Sequence, residues 1–261
     1  MKVLPISRST DHQYTYAGVT YPGVTNILKV IDKSDALMSW AARQTAEAAI
    51  ALATQTSWAD DGKDLFGDVS GLDALLATVG PEGAVKALTS RSSWKRDEAA
   101  ALGTAVHGYA DDHINGRPIP EDLPAVQRDY VTVYEDWWKA AGWTVRTSEA
   151  YLVHTAHGYG GTLDLLCRDR DGRTVLADIK TGKGVYSEAV LQLAAYGAAE
   201  LIQTPAGDLF PMPAVDRYAI LHVTKDGVRE IEVSIGALEL LAWGAAIDLY
   251  QWHRTVKGKR L

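Results

Sequence analysis

Apolar residues recur along this chain at two spacings. Across 25–53, 93–116 and 125–142 they return every three or four positions, which predicts amphipathic helices, the first capped by Thr25 and the last stopped by Gly142. From 143 onward short runs alternate instead. "WTVRTSEAYLVH" (143–154), "GGTLDLLC" (160–167) and "TVLADIK" (174–180) read as strands, the last two joined by the turn "RDRDGR". Helical spacing returns in "SEAVLQLAAYGAAELIQ" (187–203) and from Ile235 to Thr255. Between them "DRYAILHVTKDGVREIEVS" reads as a hairpin turning at Asp226-Gly227. Near the start, "YTYAGVTY" alternates and turns at Pro22-Gly23, and short helices are expected around Gly80-Pro81. "SWADDGKDLFGDVSG" (57–71) reads as a loop and "RPIPEDLP" (117–124) as a linker. The order is a helical N-terminal half and then β-β-β-α-β-β-α. It predicts an α/β (α+β) fold: a mixed central sheet flanked by helices, with a helical cap or arch over 1–142 and the sheet core over 143–261, in one continuous compact domain.

Composition narrows this picture only slightly. The 261 residues, 47% of them hydrophobic, suffice for one large core. A net charge of −7 neither points to nucleic acid nor excludes it, because a basic groove can sit on an acidic protein. One cysteine, Cys167, rules out a disulfide framework or a four-thiolate cluster within these residues, and its mid-strand place reads as an inert buried thiol. The start lacks an apolar signal core, and no apolar run approaches the roughly 20 residues of a membrane span. A cytoplasmic protein without a membrane partner is expected, with the basic tail "KGKRL" a frayed end.

The charged strand end is the informative feature. Asp178 and Lys180 of "TVLADIK" share one face, because side chains alternate along a strand. If the preceding turn is an odd-length loop centred on Asp171, Asp164 stands opposite Asp178; a two-residue Asp171-Gly172 turn would shift that register by one. Adjacent carboxylates repel unless a cation compensates, and a hard divalent ion held by oxygens is an economical one. An isolated D-x-K is usually a surface ion pair. Here "LLC", "VLA" and Ile179 argue for burial, where charges without a role are costly.

With these residues in place, the chain resembles the PD-(D/E)XK nuclease superfamily, in its RecB-like exonuclease branch. The matching segments are "GYGGTLDLL", "LADIKTG", "QLAAY", the upstream "GTAVHGYADD", and the opening "YPGVTNIL", which is similar to phage and mitochondrial relatives. With Cys167 alone, the chain departs from the iron–sulfur members, including CRISPR-associated ones, and no such cluster is expected. The resemblance implies a restriction-endonuclease-like core holding Mg²⁺ or Mn²⁺. It implies His107, Asp164, Asp178 and the Ile179 carbonyl as metal ligands, and Lys180 orienting or helping to deprotonate the attacking water. Gln192 and Tyr196, four apart on one helix face, would touch the lysine or DNA. Glu149 would hold a second ion or water, or else sit at the sheet edge. Asp111 would support the His107 imidazole. Arg96, Lys183 and Tyr196 would contact DNA, and Trp94 and Tyr109 could stack on bases. A cation with one imidazole among oxygens suits Mn²⁺ at least as well as Mg²⁺.

The function so implied is a metal-dependent DNA exonuclease. It would act on ends or single strands in recombination, repair or phage DNA processing, with a recombination protein as a further partner. A structure-specific endonuclease on the same fold, or a DNA-binding recombination factor without catalysis, are the alternatives. "TGKG" is not a phosphate loop: the required glycine is Ala177 and the required Ser/Thr is Gly184. His154 and His157 read as exposed hairpin histidines.

Overall fold

The computed structural model describes residues 5–31, 34–54 and 71–257. The loop expected over 57–70 and the tail beyond Lys257 lie outside them. The chain divides into two compact units: Met1–Ile31 with Leu102–Leu261, and Asp32–Ala101 between them in sequence. These limits, 31/32 and 101/102, differ from the division expected at 142/143. Residues 5–31 and the helices after 102 pack with the sheet, where Val24 and Ile27 join one core and Val106, Ala110 and Tyr134 the other.

The first unit opens with β1 (Ser7–Arg8), β2 (Gln13–Tyr16) and β3 (Val19–Pro22), an antiparallel sheet in that order. A one-turn helix α1 (Val24–Ile27) follows, capped by Gly23 rather than Thr25, and a 3₁₀ turn completes it. The second unit holds α2 (Ser34–Thr54) and the first part of α3 (Leu72–Ile114), around Leu52, Leu75 and Ala84. Gly80, at φ 71°, breaks α3 into two helical stretches before Pro81, as the Gly-Pro pair predicts. α4 (Ala125–Ala141) ends at Gly142, whose left-handed φ of 62° closes the helix.

The main sheet has seven strands: β4 (Thr144–His154), β5 (Tyr159–Arg168), β6 (Thr174–Lys180), β7 (Leu201–Gln203), β8 (Leu209–Pro211), β9 (Arg217–Thr224) and β10 (Gly227–Val233). Their order is β10-β9-β6-β5-β4-β7-β8, with β6 and β9 parallel and the other neighbours antiparallel. α5 (Ser187–Gly197) and α6 (Ala237–Val256) share a core with α1 and with Leu152, Leu163, Leu166 and Leu176. α4 and the end of α3 pack in a second core with Leu165, Cys167, Val175, Ala177 and Ile179. The sheet is thus mixed and covered on both sides, as the element order predicts. The helix expected over 187–203 stops at Gly197. Leu201–Gln203 instead extends along the free edge of β4, where Ile202 is fully buried, and this pairing overrides the local helical spacing.

Candidate metal centre

The β5–β6 ladder runs from Arg168↔Thr174 to Leu165↔Ala177, the register that an odd loop centred on Asp171 predicts. One step further along it, Asp164 stands level with Asp178. Regular pairing ends there, and Asp164 Oδ2 accepts the Ile179 N–H at 2.7 Å. On the other flank of β5, Ser148↔Leu165 and Ala150↔Leu163 leave Glu149 opposite Asp164. Glu149 has φ 47°, a left-handed backbone inside an extended strand. Such a conformation costs a non-glycine residue on the order of 1–3 kcal/mol, and it persists where the surroundings fix it. Here ladder pairs hold the residues on both sides.

His107 arrives from α3, which is anchored by Val106 and Ala110 in the second core. Its Nδ1 stands 3.5 Å from Asp164 Oδ2. Donor atoms of His107, Glu149 and Asp164 all lie within 4.8 Å of one another. Asp178 is not part of this cluster. Its carboxylate lies against Lys180, with Nζ 2.6 Å from Oδ2. To the carboxylates expected to share an ion, Asp164 and Asp178, the structure adds a third: Glu149 lies within ligand reach of Asp164 and His107. The Ile179 carbonyl leaves β6 on the same edge as the Ile179 N–H, as in any extended strand, and so on the Asp164 side.

Lys180 Nζ also donates to Gln192 Oε1 at 3.1 Å, and Gln192 Nε2 donates to Tyr196 Oη at 2.9 Å. The Gln-x-x-x-Tyr spacing on α5 therefore does face the lysine. Burial pulls the Lys180 ammonium down, but the Asp178 and Asp164 carboxylates outweigh it, and its pKa is raised. Burial, then the Asp164 and Asp178 charges, raise the Tyr196 phenol, which stays protonated.

The acids carry the opposite strain. Burial and then Asp164 push the Glu149 carboxyl up to about 7, against the pull of His107. Burial pushes Asp178 up to about 6 although Lys180 draws it down. Neither Asp178 oxygen receives a hydrogen bond of normal geometry from the described residues. A site that forces its carboxyls toward neutrality, with one imidazole nitrogen and two carboxylates converging, fits a hard divalent cation such as Mg²⁺ or Mn²⁺.

The remaining sequence candidates fall outside this cluster. Asp111 is bound by Arg117 and by Asn115 Nδ2 at 2.9 Å, and reaches the centre only as charge felt by Glu149. Arg96 and Trp94 belong to the Asp32–Ala101 unit, where Arg96 is exposed and pairs with Asp97 at 3.3 Å. Lys183 is exposed in the loop between β6 and α5. Tyr109 donates its hydroxyl to Gln127 at 3.2 Å. His154 and His157 have ring centres 4.4 Å apart, and His154 lies 3.2 Å from Glu200. Burial pushes the Cys167 thiol up to about 12, in keeping with an inert core residue.

Two contributors escape the sequence pattern. His222 of β9 lies beside Lys180 across the parallel ladder, and its Nε2 donates to the Gly182 carbonyl at 2.7 Å, tying down the loop after the lysine. Tyr14 of β2 reaches β5 through a 2.9 Å hydroxyl contact with Thr162. The polar histidine within the buried run "YAILHVT" is the one signal that could mark the first.

No protein-family model matches this chain, and no curated protein matches it. Among solved structures it is similar to one described as "Crystal structure of SSO0001", at 14% identity over 62% of this chain and 89% of that one, with a TM-score of 0.27. A likeness that loose bears on neither the fold nor the chemistry, and a functional reading rests on the geometry of the site itself.

Proposed function

We propose that this chain is a metal-dependent DNA exonuclease with a restriction-endonuclease-like core, hydrolysing phosphodiester bonds at ends or in single strands. The observation that carries the reading is the cluster of His107, Glu149 and Asp164 beside the buried Asp178–Lys180–Gln192–Tyr196 chain. The motif order of the PD-(D/E)XK nucleases supports it. His107, Glu149 and Asp164 would hold Mg²⁺ or Mn²⁺. When bound, the ion neutralises phosphate charge and makes a water molecule more acidic.

The chain's own residues do the rest. Asp178 and Gln192 clamp the Lys180 ammonium from two sides. Held by Asp178 and Gln192, the Lys180 ammonium would orient the phosphate and oppose charge developing there. Tyr196, through Gln192, fixes the position of that ammonium.

End-labelled single- and double-stranded DNA and a closed circle, incubated with Mg²⁺ or Mn²⁺, test the assignment. The wild-type protein should degrade linear DNA, and EDTA should stop it. Lys180→Ala should retain DNA binding and lose about 10²-fold or more in rate. Cutting of the circle would reassign the chain as an endonuclease. Binding without cleavage in either metal would make it a DNA-binding factor.

A further inference from the structure

The N-terminal sheet gathers positive charge beside the metal centre. Arg8 of β1 stands opposite Tyr14 of β2, so the two side chains share a face of that sheet. Tyr14 joins that face to β5, where its hydroxyl meets Thr162 Oγ1 at 2.9 Å. Thr162 lies two residues before Asp164 on the strand, and hence on the same face. The Arg8 charge reaches the centre itself: burial raises the Glu149 carboxyl, and Arg8, with His107, draws it down.

The patch continues away from the centre, and the fold fixes its members. Arg8 Nη2 donates to His12 Nδ1 at 2.6 Å. Asn26 of α1 holds the next two groups at once. Its Nδ2 donates to the Asp11 and His12 carbonyls at 2.9 and 3.3 Å, and its Oδ1 accepts from Lys29 Nζ at 2.7 Å. His12 takes φ 54°, a backbone conformation uncommon outside glycine. Burial, then the Arg8 and Lys29 charges, lower its imidazole, while Asp11 pulls the other way. Among the described residues no carboxylate pairs with Arg8 or Lys29, and Arg8 Nε and Nη1 take no partner. Cations held together without carboxylates repel one another, and a bound anion relieves that repulsion.

We propose that Arg8 and Lys29, with His12 between them, form a phosphate-binding track that holds the uncut part of a single strand whose next phosphodiester lies at the metal centre. The proposal rests on the nuclease reading above and adds where the strand is gripped. Arg8 stands beside the centre and takes the adjoining phosphate, with its guanidinium able to fork onto two oxygens. His12 buttresses that guanidinium. Lys29 lies further along and takes a later phosphate as a point charge. Asn26 is a positioning residue: it touches no phosphate and fixes both the His12 turn and the Lys29 ammonium. Contacts of this kind go to the backbone and carry no sequence information, which suits an enzyme that degrades any sequence.

Fluorescence anisotropy of a labelled single-stranded oligonucleotide, in EDTA so that it stays whole, reads the track across a salt series. Arg8→Gln and Lys29→Gln should each weaken binding several-fold. Each should also flatten the dependence of log affinity on log salt by about 0.7, the value for one phosphate contact on a single strand, whatever the sequence of the oligonucleotide. Arg8→Lys, which keeps the charge, should restore the slope. Arg173→Gln, just before β6 and so at the other end of that strand from Lys180, removes the same charge and should alter neither quantity. With Mn²⁺ present, Arg8→Gln should raise KM for linear DNA more than it lowers kcat. Unchanged slopes in Arg8→Gln and Lys29→Gln, or a fall as large in Arg173→Gln, overturn the track and leave the nuclease reading standing. Binding that Arg8→Gln and Lys29→Gln weaken, with no cleavage by wild type in Mg²⁺ or Mn²⁺, supports the track and overturns the nuclease reading. A wild-type protein that binds no strand overturns both.

Discussion

Glu149 combines two costs that a residue without a role would shed: a left-handed backbone in mid-strand and a carboxyl held near 7 by burial and by Asp164. The second cost sets a pH dependence with a definite sign. The ordinary value for this carboxyl is 4.5, so between 4.5 and about 7 the folded protein binds more protons than the unfolded chain. Stability from this group is fully present below 4.5 and is lost as the pH rises through about 7. Glu149→Gln removes the titration. In metal-free buffer the variant should therefore be more stable than wild type at pH 8, by about 1–2 kcal/mol, and the advantage should vanish toward pH 4.5. Urea unfolding at the two pH values measures this. A variant equally destabilised at both would mean that the carboxylate is a structural partner and not an uncompensated charge. On the proposed function the same variant should also cleave DNA far more slowly than wild type, as expected of a site that gives up stability for function.

The β5 hairpin shows why some of this was legible in the sequence and some was not. Loop parity and strand alternation fix the Asp164–Asp178 level, because a register slip would turn every side chain over. The four-residue spacing on α5 likewise brings Gln192 to Lys180 and Tyr196 to Gln192. The positive φ of Glu149 has no local signature, since a non-glycine residue adopts it only under tertiary constraint. β7 and β8 are three residues each and owe their existence to pairing at a sheet edge. His222 matters through a parallel neighbour that no short-range pattern announces. The glycine pair of "GYGGT" gains a physical reason from packing on its two sides. A Cβ on Gly160 would lie 2.5 Å from Tyr14 Cβ, and one on Gly161 would lie 2.6 Å from Tyr196 Cε1. The N-terminal sheet and α5 thus both press on β5 beside Asp164. Gly160→Ala should destabilise the protein by about 1–3 kcal/mol, because Tyr14 Cβ is close to the backbone and cannot swing aside. In a double-mutant cycle Tyr14→Gly, which removes that Cβ, should recover most of that loss. Additive losses would show that the two do not meet in solution.

At the scale of the whole molecule, the site is assembled from distant parts of the sequence but from one compact unit. His107, Glu149, Asp164, Asp178, Lys180, Gln192 and Tyr196 all belong to Met1–Ile31 with Leu102–Leu261, and none to Asp32–Ala101. On the proposed function, ion binding would be coupled to the folding of the first unit. A ligand present at about 100 times its dissociation constant stabilises the state that binds it by about 2.7 kcal/mol, which for a chain of this size raises the melting temperature by roughly 5–10 °C. Mn²⁺ at pH 8 should produce such a rise, EDTA should reverse it, and Asp164→Asn should abolish it. Protons compete for Glu149, so the rise should shrink as the pH falls below about 7. Hydrogen exchange then localises the effect. Added Mn²⁺ should slow exchange in β4, β5, β6 and the part of α3 after Leu102, where the donors reside, and leave α2 and the first turns of α3 unchanged. Uniform protection across both units would mean that they unfold as one cooperative body. Protection confined to Asp32–Ala101 would place the ion elsewhere and remove His107, Glu149 and Asp164 from its coordination.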